Sequence, residues 1–170
     1  YTSRTATATP FGLEVNKLLH LVGMPNAVFK IECAPTEQLT EYGNSTIQFL
    51  IDTNKSGKFN PVQKTASGGE LSRIMLSIKT LTAKAMSLPT LIFDEVDTGI
   101  SGEAAKQVGI LLKTLGAYHQ IISITHQPQV AAKGDTHYYV YKKQQNDDFV
   151  KTMVAKLKEE DRVKAIAQMI

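Results

Sequence analysis

The sequence predicts an α/β fold, a mostly parallel sheet flanked by helices with a small antiparallel portion. Three observations predict it. Between residues 70 and 141 short apolar runs alternate with amphipathic helical stretches, the pattern of parallel strands joined by crossover helices. Residues 28–33 and 46–51 instead alternate apolar and polar side chains in period two, which reads as a separate antiparallel pair. Finally, 170 residues of which 42% are hydrophobic hold enough apolar mass for the core of one domain, or of one lobe of a larger domain.

In chain order, residues 1–10 are rich in Thr and Ala, end in Pro10 and carry no hydrophobic period; they read as a tail or the frayed end of something longer. Phe11, Val15, Leu18, Leu19 and Val22 share one helical face, and Gly23 ends that helix. Residues 54–61 form a polar turn with Gly57 as its pivot. The strongest helix carries Leu71, Ile74, Met75, Ile78, Leu81 and Ala85 at helical spacing, and Pro89 closes the segment. A short apolar run, 90–93, then ends in Asp94-Glu95. Residues 101–115 form a second helix with Val108, Leu111, Leu112 and Leu115 on its buried face and Gly116 just past its end. Another apolar run, 120–124, leads to His126 and a short helix opening at Pro128. Residues 136–141 and 149–157 suggest a hairpin around the polar stretch 142–148, and Val163, Ile166, Ala167 and Ile170 a last short helix.

Composition narrows the function classes. A net charge of +3, from 19 Lys and Arg against 16 Asp and Glu, permits nucleic-acid binding without announcing it. The longest apolar runs fall well short of the roughly 20 residues that span a bilayer, and the first ten residues lack the apolar core of a secretory signal. The single Cys33 has no partner for an internal disulfide, so a reducing, cytoplasmic setting is expected.

The chemistry-bearing segments follow. Ser67-Gly68-Gly69-Glu70 has the form of a capping box, Ser67 at the N-cap and Glu70 at N3. A capping box does not need two glycines between its ends. Gly68 and Gly69 leave the backbone bare where a helix start carries partial positive charge, a setting that receives phosphate. Leu91-Ile92-Phe93-Asp94-Glu95 puts two acids at the carboxyl end of a strand, where α/β sheets bind ligands. An aspartate there can hold the water shell of Mg²⁺, and the adjacent glutamate can orient or deprotonate an attacking water. His126 follows its strand in the same way. His20, His119 and His137 show no zinc-ligand spacing with each other or with Cys33. Asn54-Lys55-Ser56-Gly57-Lys58-Phe59 contains Gly-Lys after a strand, but the P-loop pattern fails at Asp52 and Phe59, and no other stretch supplies a Walker A motif. Lys55, Lys58, Lys64 and Arg73 are scattered positive charges that a solvated face explains as well as a DNA track does.

The order of these segments resembles the C-terminal lobe of an ABC-type (P-loop NTPase-like) ATPase head. Thr65-Ala-Ser-Gly-Gly-Glu-Leu-Ser-Arg73 resembles the signature motif, residues 91–95 Walker B with its catalytic glutamate, and His126 the switch histidine. Phe93-Asp-Glu-Val-Asp-Thr-Gly-Ile-Ser-Gly102, Ile124-Thr-His-Gln-Pro-Gln-Val-Ala-Ala132, Leu21-Val-Gly-Met-Pro-Asn-Ala27 and Arg162-Val-Lys-Ala-Ile-Ala-Gln-Met169 are similar to segments of the RecN family, bacterial DNA-repair relatives of the SMC proteins. Val96-Asp-Thr-Gly-Ile-Ser101 after Glu95 disfavours a transporter, which usually carries Pro-Thr-Ser-Ala-Leu-Asp there.

The resemblance implies residues 15–170 as the C-terminal lobe, residues 1–14 as a tail or coiled-coil stump, and a Walker A lobe upstream. It implies ATP and Mg²⁺ in the intact protein, with Asp94 on the metal's water shell and Glu95 and His126 as catalytic residues. Ser67, Gly68, Gly69 and Glu70 would act in trans on ATP held by a second head of a homodimer, beside a D-loop region of Asp97, Thr98, Gly99 and Ser101. DNA would be engaged through the intact protein, in the cytoplasm at the nucleoid and without a membrane. The chain by itself, lacking a Walker A motif, is expected not to hydrolyse ATP. Two alternatives share these residues: the head of another SMC-like or non-transporter ABC ATPase, and a non-catalytic scaffold module that retains the fold.

Overall fold

Helix α1 (Thr2–Leu21) opens the chain in a computed structural model that describes residues 1–85, 88–146 and 149–169. The helix begins at Thr2 rather than at Phe11, and Pro10 lies inside it. Proline removes one intrahelical donor, and threonine hydroxyls compete for the backbone. Here Thr5 and Thr7 donate one turn back, to the carbonyls of Tyr1 and Ser3 at 3.2 and 2.9 Å. Arg4 reaches out to a hairpin, donating to the carbonyl and hydroxyl of Ser45 at 3.2 and 2.9 Å and to the carbonyl of Tyr42. Tertiary anchoring thus outweighs weak local propensity. Val15, Leu19 and Val22 are fully buried, and the helix stops before Gly23, whose φ of +84° suits glycine.

Asn16 stitches α1 to the next element. Its side-chain amide donates to the Phe29 carbonyl at 3.0 Å and accepts from the Phe29 N–H at 2.7 Å, as a neighbouring strand would. Strand β1 (Val28–Thr40) pairs antiparallel with β2 (Gly43–Asp52), from Val28↔Asp52 to Pro35↔Ser45, with an irregularity before Thr40↔Gly43. Both strands run beyond the expected 28–33 and 46–51 because main-chain pairing continues where alternation has stopped. Asp52 then organises the predicted turn, its buried carboxylate accepting from Asn54 N–H and Ser56 Oγ at 3.1 Å and from Gly57 N–H at 2.6 Å. Gly57 takes a φ of +77° at that pivot. Strand β3 (Asn60–Pro61) adds to β2, and a single turn, α2 (Val62–Thr65), follows.

Helix α3 (Gly68–Thr82) and a 3₁₀ turn (Ala83–Ala85) lead to β4 (Thr90–Phe93). Helix α4 (Gly102–Leu115) connects β4 to β5 (Gln120–Ser123), and the two strands pair in parallel with Ile92↔Ile122 and Phe93↔Ser123 in register. Val108, Leu111, Leu112 and Leu115 are buried as expected, and with Val15, Leu19, Ile74, Leu76, Phe93 and Val96 they form one core. That core covers one face of the parallel pair. On the other, Ile92 is 68% exposed, Ile122 45% and Ile124 60%.

After α5 (Pro128–Ala131), strands β6 (Tyr138–Asn146) and β7 (Phe149–Lys156) pair antiparallel. Strand β6 continues through most of the stretch expected to be a loop, and Asp147 and Asp148 lie outside the described residues. Helix α6 (Glu159–Ala167) starts ahead of Val163, with Glu159, Glu160 and Asp161 in its first turn, where acids suit the helix dipole. Val163 is 69% exposed while Ile166 is half-buried, so the apolar face expected there is packed only in part, and Ile170 lies outside the described residues. The α/β class stands, with an antiparallel portion of one three-stranded and one two-stranded sheet, larger than the sequence suggests.

Candidate functional site

The site is built around the loop that leaves β4. A strand directs its last residues out of the sheet at the carboxyl end, which places Asp94 and Glu95 in solvent while Val96 and Asp97 turn back into the protein. Glu95 has a φ of +58°, a left-handed conformation that costs a side-chain-bearing residue about 1–2 kcal/mol. Such strain gathers at functional positions. The loop closes on itself through Thr98 N–H to the Glu95 carbonyl at 3.1 Å.

The start of α3 packs directly on this loop. Ser67 caps the helix in a complete capping box: its hydroxyl accepts from Glu70 N–H at 3.4 Å, while a Glu70 carboxylate oxygen receives the Ser67 N–H at 2.9 Å and the Ser67 hydroxyl at 2.8 Å. The two glycines have a separate purpose. A Cβ on Gly69 would lie 3.2 Å from the carbonyl oxygens of Glu95 and Thr98, and one on Gly68 would lie 3.1 Å from the Glu95 carboxylate. At Gly69 the neighbours are backbone and would have to give by a few tenths of an ångström, whereas at Gly68 the Glu95 side chain could swing aside. Ser72 adds a hydrogen bond to the Asp94 carbonyl at 3.0 Å.

Arg73 completes the contact and corrects an expectation. It is not a surface charge available to DNA: it is buried, 5% exposed, and its Nη1 donates to the Thr98 carbonyl at 2.8 Å and, at 3.5 Å, to that of Val96. Burial lowers its pKa from the ordinary arginine value, and the negative charges of Glu70 and Asp97 work against that shift. The guanidinium stays charged at neutral pH.

His126 reaches the same loop from β5. The Ile124 N–H bonds the Phe93 carbonyl at 3.0 Å, carrying the parallel pairing one step past the strands. Asp97, 1% exposed, then holds the segment that follows: its Oδ2 accepts from the Thr125 hydroxyl and from the N–H groups of His126 and Gln127 at 3.3 Å each. The His126 imidazole remains 66% exposed, with Nδ1 3.8 Å from Asp97 Oδ1. Ser101 precedes α4 as its N-cap and Gly99 takes a φ of +74°.

The structure therefore brings Ser67, Gly68, Gly69, Glu70, Asp94, Glu95, Asp97, Thr98 and His126 together at one end of β4. His20, His119 and His137 lie elsewhere, each bonded to a backbone carbonyl, of Ala27, Leu88 and Ala131 respectively. Among the described residues no group of three or more His, Cys, Asp or Glu is arranged to hold a metal. Asp94 fits Mg²⁺ only in the manner of an ion that keeps most of its waters and leans on substrate phosphates. The sequence reading missed the parts played by Arg73 and Asp97. No local pattern marked them: Arg73 stands between Ser72 and Ile74, and Asp97 between Val96 and Thr98.

No protein-family model matches the chain. Its relatives among curated proteins include DNA repair proteins RecN. The chain is 44% identical to that of Rickettsia typhi over 156 residues, covering 92% of this chain and 28% of the relative. It is 39% identical to that of Xylella fastidiosa strain 9a5c, covering 99% of this chain and 30% of the relative. With Vibrio cholerae the figures are 38%, 99% and 30%.

The chain is RecN-like.

It corresponds to a C-terminal stretch of RecN proteins and spans about 30% of the length of the relatives it matches. Solved structures agree on the fold. The Smc head domain with coiled coil and joint from Pyrococcus yayanosii matches with a TM-score of 0.64 at 20% identity, covering 98% of this chain and 30% of that one. The Smc head of Pyrococcus furiosus bound to the C-terminal domain of ScpA matches with a TM-score of 0.58, also at 20% identity, covering 98% of this chain and 39% of that one. The RecN-like chain thus has the fold of the C-terminal lobe of an SMC-type ATPase head.

Proposed function

We propose that this chain is the C-terminal half of the ATPase head of a RecN-like protein of DNA double-strand-break repair and recombination, working in the cytoplasm at the nucleoid. The observation that supports the reading most is the meeting of a glycine-bared helix start, Asp94-Glu95 and His126 on one loop at the carboxyl end of β4. Nothing among these residues cradles the inner phosphates of a nucleotide, so that task falls to the protein's own Walker A lobe. That lobe packs on the uncovered face of Ile92, Ile122 and Ile124, since parallel strands are stable when both faces are covered.

In this reading Mg²⁺, when bound, neutralises charge on the phosphates. Asp94 holds its water shell. Glu95, in solvent beside Asp94, orients the attacking water and takes its proton. His126, exposed but held at its backbone, meets the terminal phosphate. Ser67 and the backbone N–H groups of Gly68 and Gly69 close on the terminal phosphate of ATP carried by the opposite head, so that nucleotide joins two heads. Because the Ser67 hydroxyl donates to Glu70 here, closing on phosphate exchanges one acceptor for another. DNA binds through the intact protein, with affinity that falls as salt rises.

Glu95→Gln in the intact protein tests this. Turnover is expected to fall about 10²- to 10⁴-fold, the range for losing a general base, with ATP-bound head dimers accumulating on a sizing column. Unchanged turnover would remove Glu95 from the mechanism.

A further inference from the structure

The carboxylate of Asp97 is the most buried acid near the site, and half of it is unexplained. It is 1% exposed. Its Oδ2 is saturated, taking the Thr125 hydroxyl and the N–H groups of His126 and Gln127. Its Oδ1 is buried without a hydrogen-bond partner, which a native fold rarely leaves standing for a charged oxygen. Arg73 lies on the other side of the loop, but gives its Nη1 to the carbonyls of Val96 and Thr98. The His126 Nδ1 is 3.8 Å from the orphaned oxygen, and its ring, 66% exposed, has room to rotate into bonding distance.

We propose that Asp97 is a positioning residue for His126. Its Oδ2 fixes the backbone of residues 125–127, and its Oδ1 receives the Nδ1–H of the imidazole, which leaves Nε2 as the accepting ring nitrogen; here it faces the Gln127 side-chain amide at 3.4 Å, which a ligand would displace. The two halves of the carboxylate thus set where the histidine stands and which tautomer it presents. The arrangement also ties the loop to both of its neighbours: Arg73, from α3, holds the carbonyls on either side of Asp97, while the Asp97 side chain holds the His126 segment. The effect of this arrangement on turnover rests on the ATPase reading above; the tautomer does not.

Two measurements on the full-length protein separate these. With ¹⁵N-histidine label, and His126→Gln to assign the signal, the neutral His126 ring should carry its proton on Nδ1. Asp97→Asn keeps the volume and an acceptor for the backbone N–H groups, but turns an amide N–H₂ toward the ring, so the proton should move to Nε2. A wild-type ring protonated on Nε2 overturns the proposal whether or not the protein hydrolyses ATP. The second measurement is a double-mutant cycle on turnover. Asp97→Asn is expected to lower kcat roughly ten- to a hundredfold, the range for losing a group that orients another, with a smaller change in the KM for ATP. In a His126→Gln background it should lower kcat no further. An equal loss in both backgrounds would make Asp97 a structural residue only and overturn the proposal. A wild-type protein without turnover would instead defeat the ATPase reading, and the tautomer would still decide the role of Asp97.

Discussion

The parallel pair β4–β5 and the hairpin β6–β7 are both two-stranded sheets, yet the chain treats them differently. Strands β4 and β5 lie against α3 and α4, with one face in the core and one bare. Their carboxyl ends are tied down by Arg73, Asp97 and Ser72. The hairpin, by contrast, shows side chains to solvent on both faces: Tyr138, Val140, Val150 and Val154 on one are each more than half exposed, and Tyr139 and Tyr141 on the other are 47% and 37% exposed. It is held chiefly by main-chain pairing and by cross-strand and same-face neighbours such as the stacked Tyr139 and Tyr141, 6.0 Å apart. Precision in this molecule follows coverage: loops that issue from a covered sheet are fixed by several bonds, and the candidate site sits on such a loop.

The largest test of this contrast compares Asp94→Ala with Lys143→Gln in the intact protein. The first is expected to abolish measurable ATP turnover. The second, on an exposed strand of the hairpin, should leave turnover within about twofold, as surface substitutions usually do; a comparable loss from both would erase the distinction between the regions. Next in size is Ile92→Asp, which charges the bare face of β4. If the Walker A lobe covers that face, the intact protein should lose at least about 1.5–3 kcal/mol, the worth of one buried isoleucine, in urea unfolding. No change in midpoint would mean that the face stays open.

Gly69→Val should cost about 1–3 kcal/mol, the usual penalty for overpacking. Its Cβ starts 3.2 Å from two backbone oxygens, which cannot swing aside as a side chain would. A melting temperature equal to wild type would show that the approach of α3 to the loop is looser than described.

The smallest expected effect lies away from the site. Burial raises the pKa of Asp52, but its hydrogen bonds from Ser56, Asn54 and Gly57 outweigh that and hold it below the ordinary carboxylate value. A lowered folded pKa stabilises above the unfolded value of about 3.9 and is lost as pH falls through the folded one. The stability gap between wild type and Asp52→Asn should therefore be full at neutral pH and shrink on acidification below about pH 4. A gap independent of pH would mean that charge plays no part in that turn.

The same contrast explains what could be read from sequence. Helices α3 and α4 were legible because apolar spacing, cap and stop signals agree along each of them, from the Ser67 box to Gly116. The strand before Asp94-Glu95 was legible because an apolar run ends abruptly in charge. The outer halves of the β1–β2 hairpin and the extension of β6 were not, since a strand solvated on both faces leaves no alternation to see. Residues 2–10 escaped for another reason. What anchors it is Arg4 on a hairpin some forty positions away, a contact that no local pattern encodes. Arg73 and Asp97 show the limit most clearly: their residue types suggest surface, and only tertiary placement turns them inward.

The central claim is that the α3 start of one head completes a site whose Asp94, Glu95 and His126 belong to another. Within one chain the Gly68 backbone already lies beside Glu95, so a site formed in cis is the competing arrangement. Complementation decides between them. Full-length protein carrying Ser67→Arg and full-length protein carrying Glu95→Gln, each inactive alone, are mixed and assayed for ATP turnover. Recovered turnover in the mixture is the predicted result, because a mixed dimer holds one site with an intact Glu95 from one head and an intact Ser67 from the other. A mixture as inactive as its parts, with mixed dimers shown to form, would contradict the account.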